Sequence, residues 1–344
     1  MKKDNIFTNS KYFLLYITIG LFVVMFGAGS IAFPGFFSLT NFYNLLIDNA
    51  YLLILGVGMT FVIVSGGIDL SVGSVLALTT MLSAHLIEKE HMSPLVVIPL
   101  VILMGALFGS FMGYLIQTFD IAPFIVTLGG LYLARGLCYV ISVDTISFTH
   151  PFYIWAAEFQ LNLIGNNFIS LNVIIAFIVI IIGIFIAHYT KFGRTVYAIG
   201  GNEQSAVLMG LPVGRTKILI YTLSGVCSAI AGVVFTFYMR SGYALHGKGM
   251  ELDTIAAVVI GGTLLTGGAG YIFGTIFGVF IYGTIQYLIM FQGTLSAWWT
   301  RIAIGFLIFV FCLLQRFFDS RKTAGEEKQK RKLCDDSTPK KAVT

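Results

Sequence analysis

The chain is predicted to be an all-α, polytopic transmembrane helical bundle of about ten spans. Three observations carry that prediction: a large apolar excess, ten apolar runs of roughly helix length, and glycine-rich breaks between some of them. Of 344 residues, 57% are hydrophobic and only 11% are charged, against the ~25% charged share of soluble domains. A ~30 Å hydrocarbon core asks for ~20 mostly apolar residues per helix. Ten such runs leave no room for a separate soluble domain, so a membrane-embedded unit is expected over residues 1–318, followed by a charged tail over 319–344. Membrane lipid is the implied surroundings, and no nucleic-acid partner is expected. The four cysteines, Cys138, Cys227, Cys312 and Cys334, are widely spaced; they read as packing residues or bystanders, with no metal or disulfide role.

The elements follow in order. Lys2, Lys3 and Lys11 precede an apolar run from Tyr12 to about Phe33, too long for a typical signal-peptide core and therefore a retained first span. Further runs cover Asn49 to Ser65, Val72 to Ile87, Pro94 to Ile116, Ala122 to Ser142 and Phe168 to Tyr189. After a polar segment come Ile218 to Tyr238, Thr254 to Leu265, Tyr271 to Phe291 and Ala297 to Leu314. The run Thr254 to Leu265 reaches only ~18 Å as a helix, short enough to be re-entrant. Short basic loops stay cytoplasmic. Lys191, Arg194, Arg215 and Lys217 stand against Glu203 alone, and the tail from Arg316 holds nine basic residues against five acids. Both segments, and both termini, are therefore predicted on the cytoplasmic side. The acidic segment Val143 to Asn167 falls on the other side. The tail has little apolar content and no periodicity, which predicts disorder.

One stretch interrupts this pattern: Gly66-Gly67-Ile68-Asp69-Leu70-Ser71-Val72-Gly73-Ser74 carries the only acid between Asn49 and Leu86. Non-helical backbone at membrane depth is tolerated only where protein or a water-filled cavity satisfies its peptide groups. Gly66, Gly67, Asp69 and Ser71 are therefore candidates for a solute path. An acid at a helix centre costs ~2.5–3.5 kcal/mol on insertion scales, so Asp69 needs a partner or a task. Capping of the next helix, contact with a polyhydroxylated solute, and proton coupling all fit.

A shift of 195 positions lays this stretch over Gly261-Gly262-Thr263-Leu264-Leu265-Thr266-Gly267-Gly268-Ala269. Glycines and the hydroxyl match and the acid does not, which predicts two related halves, each with a broken or short span, and adds Thr263 and Thr266 to the path. Two ladders, Gly105-Gly109-Gly113 and Gly270-Gly274-Gly278, each lie on one helical face and predict close helix packing. Thr127 and Arg135 lie in the span from Ala122 to Ser142. Arg135 falls ~20 Å along that span from its cytoplasmic entry, too far from the break to pair directly with Asp69. It is expected to snorkel or line an outer vestibule. Arg301 beside Trp298 and Trp299 reads as an interfacial anchor.

Gly242 to Gly249 nearly spells a phosphate loop, but Gly249 stands where Ser or Thr must hold magnesium. No other stretch resembles a nucleotide site, so any ATPase must be another chain. In the segment 190–217, the rhythm from Glu203 to Leu211 suits a short amphipathic helix capped by Asn202.

Together Gly66 to Ser74, Thr127 to Gly130 with Arg135-Gly136, and Tyr197 to Asn202 followed by Ala206 and Gly210 resemble the ribose-type ABC sugar importer permeases. The likeness runs from about Asn41 to Gln315 and includes Ile260 to Gly268 and Gly293 to Trp299, which most resemble the galactofuranose importer permeases. The resemblance implies a multi-pass subunit of the bacterial inner membrane without enzymatic activity or cofactor of its own. It would work with a second permease or a second copy of itself, ABC-type ATPase subunits holding ATP and magnesium, and a periplasmic sugar-binding protein. It also implies that Gly200, Gly201, Asn202, Glu203, Ala206 and Gly210 form the coupling element to the ATPase. The charged tail departs from the family pattern. The rival reading is a proton-coupled secondary sugar transporter in which Asp69 titrates.

Overall fold

The computed structural model describes residues 13–162, 168–296 and 298–314. The basic N-terminal residues, Cys334 and the charged tail lie outside the described residues. All ten predicted runs are helices. They are α1 (Phe13–Ala32), α3 (Ala50–Val64), α4 (Val72–Glu88), α5 (Pro94–Phe119), α6 (Pro123–Ile141), α8 (Leu171–Tyr189), α11 (Val213–Met239), α12 (Met250–Ile260), α13 (Ile272–Gln292) and α14 (Trp298–Leu314). Six of these (α1, α5, α6, α8, α11 and α13) are long and apolar enough to cross a membrane. A seventh crossing arises if α2 (Leu39–Asp48) and α3, bent by 55° at their junction, act as one span. The helices α4 and α14 are shorter, and α12 has only 11 residues. The count of spanning length is thus lower than the count of apolar runs, because the glycine-rich breaks stop α3 and α12 early.

The sequence pattern does not announce three elements, α2, α7 (Pro151–Glu158) and α9 (Lys191–Gly201), whereas α10 (Glu203–Leu208) forms most of the expected amphipathic helix. Two small antiparallel pairs join connecting segments: β1 (Ile146–Ser147) with β4 (Ser241–Gly242), and β2 (Gln160–Asn162) with β3 (Phe168–Ser170). The first pair, together with Glu88 accepting the N–H groups of Thr149 and His150 at 2.8 and 2.9 Å, gathers the ends of α4, α6 and α11 at one end of the bundle.

The bundle is built around α11 and α3. The helix α11 packs against α5, α3 and α4, and α13 packs against α12, α1 and α3. Lipid tails are as apolar as leucine, so close packing rather than water exclusion holds such helices together. The glycine ladders supply it, except that Gly270, expected on the same helical face as Gly274 and Gly278, lies in the break before α13. A Cβ on Gly109 would overlap the Tyr221 carbonyl of α11, and one on Gly278 would overlap the Ala257 carbonyl of α12.

Candidate functional site

Both broken spans end in the same way. At the end of α3, Gly66 adopts φ +85° and donates to Ile63 O, while Gly67 donates to Val62 O at 3.0 Å. At the end of α12, Gly262 adopts φ +90° and donates to Val259 O, while Thr263 donates to Val258 O at 3.3 Å. Each is a Schellman termination, which satisfies carbonyls that a helix end otherwise leaves open and requires a left-handed residue at its turn. The equivalent residues are therefore Ser65 and Gly261, Gly66 and Gly262, Gly67 and Thr263, a shift of 196. The shift of 195 read from the sequence is one short, because matching glycine to glycine ignores which glycine must be left-handed. The breaks also differ in length: residues 65–71 separate α3 from α4, whereas 261–271 separate α12 from α13.

The two breaks meet. Gly268 donates its N–H to Val64 O at 2.8 Å, and Gly267 lies against Gly66. Thr60 and Thr275 share a 2.8 Å hydroxyl contact between α3 and α13 one helical turn away. The starts of α3 and α12 also lie together, Tyr51 and Leu52 beside Met250 and Asp253, so the two helices run side by side in the same direction to the junction and this unit is not inverted. A third segment completes the junction. Gly200, near the end of α9, has no room for a Cβ between Val64 O and Gly268 N, and Tyr197 donates its hydroxyl to Gly270 O at 2.7 Å. Beyond it, Asn202 caps α10 by accepting the Ser205 N–H at 2.7 Å. Lys217 pairs with Glu203 at 2.6 Å. Apart from buried Ala206, α10 is exposed, and Val207, Leu208, Met209 and Gly210 project at its tip.

Asp69 lies one step beyond the first break and is fully enclosed. Its Oδ1 accepts the Ser71 N–H at 2.9 Å and the Ser71 hydroxyl at 2.7 Å; its Oδ2 accepts the Ser224 hydroxyl of α11 at 2.7 Å. The carboxylate closes a turn ahead of α4 and ties that turn to α11. Ser71 itself stands at the N-cap of α4 without a side-chain cap bond, and its carbonyl accepts from Ser74 and Val75. Thr127 is buried beside Ile68, its hydroxyl turned back mainly to Pro123 O at 2.8 Å. Thr263 is buried behind Gly270, and Thr266 is exposed at the rim of the second break.

Arg135 donates from Nη1 to the carbonyls of Ala244 and His246, at 2.5 and 2.7 Å. It makes no pair with Asp69 and braces the segment between α11 and α12. That segment dips inward until Gly247 touches Gly73 at the start of α4, so α12 occupies only part of the bundle's depth.

Above the dip lies a cavity of about 310 Å³ that the sequence reading missed. Its polar wall is formed by His246, Lys248, Asp253, Gln286 and Arg301, with Tyr51, Phe235 and Tyr282 as the aromatic part. Buried Asp253 accepts from Arg301 Nη1 at 2.5 Å and from the Tyr282 hydroxyl at 3.1 Å. Arg301 is therefore more than an interfacial anchor; Trp298 and Trp299 are exposed beside it. Burial, and then the neighbouring Arg135 charge, push the His246 imidazole down to about 4, which keeps it neutral. The stretch first noticed as a failed phosphate loop is the floor of this cavity. A signal for it was present in Asp253, a second acid among apolar residues.

Comparison with known proteins places this architecture. Residues 41–312 match the family described as the branched-chain amino acid transport system / permease component. The chain is 51% identical over 302 residues to an inner membrane ABC transporter permease protein of Escherichia coli K12, covering 88% of this chain and 91% of the relative. It is 42% identical to a fructose import permease of Bifidobacterium longum (86% and 88% covered) and 37% identical to a ribose import permease of Bacillus subtilis (87% and 91%). No solved structure matches the chain. With nearly full-length likeness to such permeases and its bundle of apolar helices, the chain is a multi-pass inner-membrane protein that belongs to the ribose-type ABC importer permease family.

Proposed function

We propose that the chain is the permease subunit of an ATP-driven importer that moves a monosaccharide into the cytoplasm, with galactofuranose the first candidate, then ribose and galactose. The import-permease relatives support the solute class, and the likeness of residues 260–268 and 293–299 to galactofuranose importer permeases supports the sugar. The chain performs no covalent chemistry. ATP and magnesium belong to a partner ATPase, a periplasmic binding protein delivers the sugar, and a second homologous permease or a second copy of this chain completes the membrane unit. Both termini and the α9–α10 segment face the cytoplasm, in keeping with their basic residues.

The observation that carries this reading is the three-way junction. The helix α10 offers an exposed apolar tip to a partner, while α9, directly before it, ends with Gly200 against Val64 O and Gly268 N. A displacement of α10 by the ATPase is delivered to both broken spans at once through backbone contacts. Energy coupling is the deciding experiment. Uptake in proteoliposomes containing the whole transporter should persist with a protonophore and stop when the ATPase is inactivated. Uptake that collapses with the protonophore and ignores the ATPase would replace this reading with proton coupling at Asp69.

A further inference from the structure

The cavity beneath α14 has the chemistry of a binding site rather than of a packing defect. Packing voids are apolar and dry, whereas this one gathers an ion pair, an amide, an imidazole and aromatic faces. Its volume of about 310 Å³ sits at the low end of the ~300–1,000 Å³ range of ligand pockets. That is room for a single small polar molecule such as one sugar ring.

Charge narrows the ligand further. Asp253 and Arg301 neutralise one another at 2.5 Å, and His246 is neutral, leaving exposed Lys248 at the rim as the unbalanced charge among the lining groups. The wall still has hydrogen-bonding capacity. Among the described residues, each Asp253 oxygen accepts one bond and has a second lone pair; Arg301 uses one of five N–H donors; Gln286 brings both a donor pair and an acceptor. The His246 Nδ1 is buried with no partner among the described residues. Tyr51 and Phe235, packed edge-to-face at 4.9 Å, supply the apolar side that the C–H face of a sugar ring requires.

We propose that this cavity holds one neutral monosaccharide during its passage, with hydroxyls shared among Asp253, Arg301 and Gln286 and the ring against Tyr51 and Phe235. The proposal rests on the reading of the chain as a sugar permease, and names where in it the sugar is held.

The test uses the whole reconstituted transporter carrying Leu245→Cys, exposed on the lining and leaving Lys248 in place, with alkylation at position 245 by a charged thiol reagent followed by mass spectrometry. Galactose or ribose should slow the modification in a saturable way, while galacturonate and lactose should not. Adding Gln286→Leu should raise the half-protecting concentration ~2–12-fold, the loss of one hydrogen bond of ~0.5–1.5 kcal/mol. Lys248→Cys, also exposed on the lining, serves for the galactose, ribose and lactose comparisons if the first variant does not assemble. No protection by either neutral sugar, or stronger protection by galacturonate or lactose, overturns the proposal. ATP-driven uptake in the same preparation separates the two readings: uptake without protection sinks the cavity site alone, and protection without ATP dependence sinks the importer reading alone.

Discussion

The carbonyl of Val64 accepts the N–H of Gly268 at 2.8 Å, so the ends of two broken spans, far apart in sequence, are joined backbone to backbone. Gly200 sits against the same two atoms, so the end of α9 is seated on both spans.

Adding one methyl group at this point should be costly. The Cβ of Gly200→Ala would overlap Val64 O and crowd Gly268 N, both backbone atoms that cannot swing aside. Overpacking of this kind costs ~1–3 kcal/mol. Gly201→Ala, whose Cβ meets nothing within 4 Å, should leave thermal stability unchanged. A melting comparison of the two purified variants checks this, and equal melting would refute the seating of Gly200 described above.

At Asp69 the nature of the substitution decides the outcome. Asp69→Ala strands the buried Ser71 N–H, a loss of ~1–3 kcal/mol, visible as a lower melting temperature. Asp69→Asn keeps an acceptor for Ser71, and the Ser224 hydroxyl can rotate to accept from the new amide. The Asn variant should therefore assemble with the ATPase and retain uptake. Assembly without uptake would show that the charge, not the turn, is what matters.

The twin helix terminations predict twin penalties. Gly66→Ala and Gly262→Ala each force a Cβ into a left-handed conformation, at φ +85° and +90°, for ~1–2 kcal/mol apiece. Matching losses of stability in the two variants check the equivalence at a shift of 196. A penalty at only one position would break it.

His246 gives a pH dependence of definite sign. With the folded value at about 4 and the ordinary value at 6.5, both states are neutral above pH 6.5 and nothing is gained or lost. Between 6.5 and 4 the unfolded chain takes up a proton that the folded chain refuses, so stability falls as pH falls. Below 4 the deficit stays constant. Melting curves over this range should show the decline, and His246→Gln should remove that part of it.

Much of the architecture is legible because lipid enforces simple rules. The ten apolar runs, the breaks and the glycine ladders are local patterns that a hydrocarbon solvent permits in few ways, and Asn202 marks its helix start by cap chemistry alone. What escaped the sequence is relational. Asp253 and Arg301 stand 48 positions apart, and nothing near either announces the other. The helices α2, α7 and α9 are short and amphipathic or fold at connections, where their stability comes from what they rest on. The echo was visible, but its register depends on which glycine turns left-handed, a backbone property that identity matching does not see.

The seating of α13 on α12 through Gly274 and Gly278 sets the kinematics of the cavity. Two helices in backbone contact, without an intervening layer of side chains, cannot roll on one another without collision. Asp253 and Tyr282 lie on that closely seated pair, so their separation should change least as the cavity opens. Arg301 rides on α14. Any widening of the mouth is therefore recorded as a stretch between Arg301 and Asp253, and a distance label on positions 253 and 301 is a gauge of opening for which positions 253 and 282 provide the fixed reference.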